Sequence, residues 1–317
     1  MKYLVTGVGG QLGYELLLEL EKRGLEAVGT DLLPEDVYRE KTGSTFSYVN
    51  LDFSDPQAVK KVFAEVKPDF LLNPAAWTAV DAAEDPENRD KVYAANVTGV
   101  KNLAEACRDA GIPMLQISTD YVFNGLGTEP WDPDCREYEP LCWYGETKLQ
   151  GELAVSSTLE KYFIVRIAWA FGKNGANFVK TMLKLAENHD RLRVVCDQIG
   201  TPTYMHDLAR LLVDMSLTDR YGYYHATNEG GYISWYDFTR EIFRQAQEKK
   251  IPAVSGSGAE VNYAGVEVTP VTTEEYGISR AKRPFNSRLD KSKLIRNGFE
   301  PLPDWKDALS RFLDGLK

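Results

Sequence analysis

Thr6-Gly7-Val8-Gly9-Gly10-Gln11-Leu12-Gly13 decides the fold of this chain. It follows an apolar run, residues 2–6, that reads as a strand. It opens a segment, residues 11–22, in which Leu12, Leu16, Leu17 and Leu20 recur at helical spacing. Glu15, Glu19 and Lys22 fall off that stripe and are expected to face solvent. The pattern Gly7-x-x-Gly10-x-x-Gly13 removes side chains where a strand turns tightly into a helix. The N–H groups at the helix N-terminus then suit a pyrophosphate. A glycine turn alone is weak, but Asp31 closes the next strand, residues 26–30, and lies 18 positions after Gly13. A carboxylate there is placed to bond the ribose hydroxyls of an adenosine. It also repels a 2′-phosphate, which favours NAD over NADP, while Arg39 and Lys41 could offset that repulsion. Asp52 and Phe53, after a third strand at Ser47-Tyr48-Val49, are candidates to flank the adenine. Ser54-Asp55-Pro56 is helix-start chemistry in its own right.

Outward from this turn, strand and helix alternate. The spacing predicts a helix over 56–66, a strand over 69–73, a long helix near 88–110, a strand over 114–118, a helix over 144–155 and a strand over 162–167. That rhythm implies βαβ units and an α/β fold with a doubly wound parallel sheet of Rossmann type. The stretch between Asp31 and Ser47 reads as a polar loop. After Gly172 the rhythm changes. Helices fit 177–188, 204–216 and 234–248, a strand fits Tyr223-Tyr224-His225, and Ser255-Gly256-Ser257-Gly258 reads as a flexible loop. The expected division is a dinucleotide-binding domain over 1–171, which 204–226 rejoins, and a smaller α/β substrate-binding lobe over 172–317.

Composition narrows the class. The 317 residues hold 37 Lys plus Arg against 47 Asp plus Glu, a net charge of −10. Such a balance argues against a nucleic-acid or anionic-membrane binder, which needs clustered cations. The opening Met1-Lys2-Tyr3-Leu4-Val5 reads as a strand and not as the apolar core of a signal peptide, and no run approaches a membrane span, so a cytoplasmic location is expected. Cys107, Cys135, Cys142 and Cys196 form no Cys-x-x-Cys and are expected as reduced thiols. His189, His206 and His225 are too scattered for a zinc site.

Tyr144-Gly145-Glu146-Thr147-Lys148 opens a helix. Positions i and i+4 share a face, so phenol and ammonium can address one ligand. A nearby ammonium favours the phenolate and lowers the Tyr144 pKa, making it a usable general acid. Lys148 could also hold the nicotinamide ribose. The strand over 114–118 ends in Ser118-Thr119-Asp120. Ligands of a doubly wound sheet bind at the carboxyl ends of strands, which places Thr119 to hydrogen-bond a substrate carbonyl. The residues alone reach a nicotinamide-dependent reductase of a carbonyl compound.

These features resemble the extended short-chain dehydrogenase/reductases. Six runs resemble the dTDP-4-dehydrorhamnose reductase family more closely: Asn73–Asp81, Ser118–Phe123, Tyr144–Glu152, Asn177–Met182, Asp197–Thr203 and Arg283–Asp290. The resemblance covers about residues 2–313. It implies hydride transfer from NADH or NADPH to the C4 ketone of dTDP-4-dehydro-L-rhamnose. By that match Thr119 polarises the ketone, Tyr144 donates the proton, and Lys148 tunes Tyr144 and holds the cofactor. Gly7, Gly10, Gln11, Leu12, Gly13, Asp31, Asp52, Phe53, Ala75, Ala76, Trp77, Thr78 and Ile117 fall at cofactor positions. Thr119, Asp120 and Trp169 fall at substrate positions. Trp169 suits stacking on thymine or sugar, or else a place in the core. Arg283 could fork onto the diphosphate or stand as a surface arginine. Glu15 matches a position used in some members around a divalent ion, so Mg2+ and a homodimer are raised by the resemblance. Trp77 departs from the Tyr or His more usual there, and residues 255–266 lengthen a loop. Two other readings stay open. One is a sugar-nucleotide epimerase; a dehydratase is disfavoured because Tyr121 stands where its glutamate belongs. The other is a non-catalytic dinucleotide-binding regulatory subunit.

Overall fold

The apolar runs of the chain fold into seven parallel strands in a computed structural model that describes residues 1–316. They are β1 (Lys2–Thr6), β2 (Glu26–Asp31), β3 (Ser47–Asn50), β4 (Phe70–Asn73), β5 (Met114–Thr119), β6 (Tyr162–Ile167) and β7 (Gly222–His225). Their order in the sheet is β7-β6-β5-β4-β1-β2-β3. The winding direction reverses between β1 and β4, so a crevice opens outside their carboxyl ends. Tyr3, Leu4, Val5, Phe70, Leu71 and Leu72 are fully buried, as befits strands covered on both faces.

The helices follow the sequence pattern with three instructive departures. First, the stretch after β2 is not all loop. Between α1 (Gln11–Lys22) and α3 (Pro56–Val66), Glu35–Thr42 forms a helix, α2. Tyr38 is its one buried residue, stacked 4.3 Å from Tyr48, so there was no apolar stripe to read. Second, the long helix expected near 88–110 is interrupted. Helix Arg89–Tyr93 passes through a π-turn at Ala94–Thr98 into helix Gly99–Ala110. The π-turn contains Asn96, which is buried, and such turns recur at functional sites. Third, Glu15 and Glu19 are buried, not solvated. Helix Met205–Ser216 packs over that face of α1, and Arg23 bridges Glu19 at 2.7 Å and Asp214 at 2.6 Å.

A second core gathers Phe171, Val179, Leu183, Phe238, Ile242, Trp305 and Phe312. Its helices are Phe178–Ala186, Trp235–Lys249 and Trp305–Asp314. A parallel pair, Arg191–Val195 with Glu267–Val271, lies against them. The last helix was not read from the sequence, although Trp305, Ala308, Leu309 and Phe312 are buried at helical spacing and Asp304 caps it at Lys306 N, 2.8 Å away. Nor was the strand pair, because Arg191, Arg193 and Glu267 keep one side exposed and Pro270 interrupts the run. Among the described residues, no helix is long and apolar enough to cross a membrane.

One ion pair fastens helix Trp143–Thr158 to the sheet. Glu152 and Arg166 are both fully buried; Oε1 accepts from Nε at 2.8 Å and Oε2 from Nη2 at 2.7 Å. Arg166 also donates to the Tyr138 hydroxyl at 2.9 Å. Removing one partner strands the other charge in the interior. Glu152→Ala should therefore cost about 3–5 kcal/mol in urea unfolding. A midpoint unchanged from the parent would contradict the pairing.

Candidate active site

The crevice is built first from the glycine turn. Gly10 caps α1 with extended backbone and no side-chain cap, which leaves the first-turn N–H groups of the helix without a side-chain acceptor. Gly7 has φ +61°, and a Cβ there would lie 2.9 Å from Ala75 Cα. A Cβ on Gly13 would run into the Gly7 carbonyl. The cradle thus needs glycine for steric reasons and presents what a pyrophosphate requires. Asp31 Oδ2 accepts from Gly9 N at 2.9 Å, so it braces the turn beside which it is expected to meet a ribose. Arg39 is bound to Glu35 and to the Ser44 carbonyl. Lys41 is exposed.

The other expected cofactor positions divide. Ala75, Ala76 and Trp77 are half-buried and Thr78 is exposed, on the loop that follows β4. Gln11 lies at the helix start, where its Oε1 accepts from Asn177 at 3.2 Å. Leu12 sends its side chain into the core. Asp52 is exposed and closes a turn onto Ser54 N at 2.9 Å. Phe53 is not an open platform but is buried against Gly99.

Across the floor of the crevice runs a buried polar chain that the pattern of the sequence did not announce. Thr6 donates to Asn73 Oδ1, and Asn73 Nδ2 donates to Gln116 Oε1 at 2.6 Å. Gln116 Nε2 reaches Ile117 O at 2.8 Å, and Lys148 Nζ donates to that same oxygen at 2.7 Å. Asn96 performs a similar tie above. Its Oδ1 accepts from Trp77 N at 2.8 Å and its Nδ2 donates to Thr147 Oγ1 at 3.1 Å. The signal was available: a polar residue inside or ending each of three adjacent strands, and an asparagine inside an apolar helix.

Thr119, Tyr144 and Lys148 converge at the carboxyl end of β5. All three are buried. Thr119 Oγ1 donates to Asp120 Oδ1 at 3.0 Å and accepts from Tyr121 N at 3.3 Å. Tyr121 packs edge-on to Tyr144, 5.4 Å between ring centres. Burial pushes the Tyr144 phenol well above its ordinary pKa, with the Thr119 hydroxyl opposing and Asp120 adding to the rise. Burial brings Lys148 down to about 8, against the pull of Glu152. The expected lowering of Tyr144 by Lys148 is therefore corrected: the ammonium is turned onto Ile117 O.

Trp169 adopts φ +51°, rare for a side chain of that size, and its ring stacks 3.7 Å from Trp235, which Phe178 flanks at 4.4 Å. Trp235 donates to Gln198 Oε1 at 3.2 Å and escaped the sequence reading. Arg283 is neither a free surface arginine nor an open anion site. It forks onto Asp81, Nη1 to Oδ1 at 3.1 Å and Nη2 to Oδ2 at 2.7 Å. Burial works to raise the Asp81 pKa, but Arg283 and the Ala281 amide hold it below the ordinary carboxylate value. Glu15 accepts from His206 Nδ1 at 3.0 Å, and among the described residues no cluster of His, Cys, Asp or Glu could hold a metal ion. An open cavity of about 630 Å³ lined by Glu187, His189, Ser255 and Asn262 contains none of these groups.

A doubly wound sheet with a glycine turn at its switch point defines a dinucleotide-binding α/β protein. The chain matches the family described as RmlD substrate binding domain over residues 1–317, and it belongs to that family. A dTDP-4-dehydrorhamnose reductase of Aggregatibacter actinomycetemcomitans is 37% identical, with 97% of each chain covered. The structure of a dTDP-4-dehydrorhamnose reductase from Clostridium acetobutylicum is 41% identical with a TM-score of 0.84, covering 100% of this chain and 99% of that one. That of the Bacillus anthracis reductase in complex with NADP is 35% identical with a TM-score of 0.82, covering 99% of both.

The Asp81 carboxylate also accepts from Arg280 N and Ala281 N, each at 3.1 Å. Asp81→Ala should abolish the hydrogen-exchange protection of those two amides and leave that of Gly9 intact. Retained protection at Arg280 and Ala281 would contradict the latch.

Proposed function

We propose that this chain reduces the C4 ketone of dTDP-4-dehydro-L-rhamnose to dTDP-L-rhamnose. Full-length kinship with reductases named for that substrate supports the reading. The observation that carries it is the meeting of Thr119, Tyr144 and Lys148 beside a glycine turn whose helix amides suit a pyrophosphate. The sheet unit, 1–171 with 204–226, holds the dinucleotide, and 172–317 otherwise shapes the sugar-nucleotide side. The homodimer raised by the resemblance is part of the proposal.

A nicotinamide cofactor fits these residues, as the NADP complex of the Bacillus anthracis relative also suggests. Gly7, Gly10 and Gly13 would let the backbone approach the pyrophosphate, Asp31 would meet the ribose, and Lys148 and Ile117 would hold the nicotinamide side. Reduced nicotinamide, when bound, supplies the hydride. NADH and NADPH both serve, with Asp31 biasing towards NADH because Arg39 is committed to Glu35.

The chain's own groups then handle the oxygen. Thr119 donates a hydrogen bond to the ketone and polarises it. Tyr144 gives its phenolic proton to the alkoxide that forms. A phenol kept neutral by burial is ready as a donor and never idles as phenolate. Lys148 stands four residues on, held by Ile117 O, on the side where it would meet the nicotinamide ribose. Trp169, backed by Trp235, offers a ring to the base or sugar.

Tyr144→Phe should lower keto-sugar reduction by about 10²–10⁴-fold, followed by reduced-nicotinamide absorbance, with the cofactor dissociation constant nearly unchanged. Wild-type turnover in that variant would remove Tyr144 from its role. Cofactor binding by the parent protein without consumption on dTDP-4-dehydro-L-rhamnose would remove the reaction itself.

A further inference from the structure

We propose that Asp120 works in its neutral form, donating its own proton to Thr119 Oγ and so freeing the Thr119 hydroxyl proton for the substrate oxygen. The inference rests on the carbonyl-reducing role given to Thr119 above. It begins from hydrogen-bond valence. A threonine hydroxyl has one proton and two acceptor positions, and an ionised carboxylate can only accept. Thr119 Oγ1 already accepts from Tyr121 N at 3.3 Å and lies 3.0 Å from Asp120 Oδ1. With Asp120 ionised, the single Thr119 proton is committed to that carboxylate. What then faces a ketone oxygen is a lone pair, which repels it. With Asp120 protonated the bond reverses. Thr119 accepts from Tyr121 N and from the Asp120 hydroxyl, and its own proton is free to polarise the carbonyl.

The surroundings favour the neutral form. Asp120 is 2% exposed, and among the described residues its buried Oδ2 meets no partner at hydrogen-bond distance, although the Ser287 hydroxyl lies near enough to favour the carboxylate. An anionic oxygen so placed is costly. Among the described residues no cation compensates: Arg283 is bound to Asp81, and Lys148 is turned to Ile117 O. The titratable groups packed around it are Tyr121 on its own turn, and Tyr144 and Cys142 at the start of the helix. Each is pushed up and neutral at ordinary pH. Burial accordingly brings Asp120 up to about 6, with the hydroxyls of Ser287 and Thr119 opposing. A second consequence follows at Tyr144. An anionic Asp120 raises that phenol's pKa, so neutralising it makes Tyr144 the stronger acid at the moment it must give up a proton. No proton is consumed from Asp120; it only turns a hydrogen bond around, and Tyr144 remains the donor to substrate.

Two measurements test this. The first needs no substrate: 13C-carboxyl aspartate NMR of the whole protein, with the Asp120 signal assigned by Asp120→Asn. A midpoint near 6 is expected. A midpoint at or below the ordinary aspartate value of about 3.9 would overturn the proposal. The second compares pH profiles of kcat/KM. In the parent, the rate should fall as pH rises through the Asp120 midpoint. An asparagine donates an N–H to Thr119 Oγ and does not titrate. Asp120→Asn should therefore lose that slope and exceed Asp120→Ala by about tenfold, the worth of one hydrogen bond. An Asn variant as slow as the Ala variant, or one keeping the parent's slope, would refute it. If the parent reduces no keto-sugar nucleotide, the proposed function fails, while the NMR midpoint still decides the protonation state of Asp120.

Discussion

The carbonyl oxygen of Ile117 is the point on which the site turns. It lies two residues before the end of β5, in the middle of the sheet, and accepts from both Gln116 and Lys148. Through Lys148 it fixes the rotation of helix Trp143–Thr158 about its axis. One turn further, Glu152 meets Arg166 on β6. Two charged residues on one face of a helix are thus driven into the interior, and each finds its partner on the sheet. Any other rotation would bury a charge unpaired, at a cost of several kcal/mol. The seating of Tyr144 beside Thr119 is a consequence of that constraint.

The same logic explains the floor of the crevice. Thr6, Asn73 and Gln116 sit side by side on β1, β4 and β5, where apolar residues would be the simpler choice for a buried sheet. Their side chains satisfy one another across the strands, so the switch point is polar without being unsatisfied. Asn96 does the equivalent for the loop above, from the buried face it shares with Val92 and Val100. The crevice is rigid from below and from above, which suits a site that must align two ligands.

Much of this was legible in the residues. The Gly7-Gly10-Gly13 spacing, the acid at Asp31 and the alternation of apolar runs fix the sheet because each is a local signal with a single geometric meaning. What escaped is long-range. Arg283 reads either as an anion ligand or as a surface arginine, and Asp81, some two hundred positions earlier, takes its fork. Glu15 and Glu19 read as solvated until helix Met205–Ser216 covers them. Phe53 reads as a residue that flanks the adenine, and nothing local says that its ring packs on Gly99. In each case the partner lies far along the chain, and no periodicity carries that information. The lowering of Tyr144 by Lys148 failed for a related reason: spacing puts two groups on one face but does not say which way an ammonium turns.

The central claim is that the carboxyl ends of β1, β4 and β5 receive the dinucleotide beside Tyr144. Hydrogen exchange with and without added NADPH tests it most directly. The account predicts slowed exchange at the amides of residues 7–12, 76–78 and 117–119, with residues 186–190 and 253–266 unchanged. Protection confined to those last two segments, with the glycine turn unaffected, would contradict it.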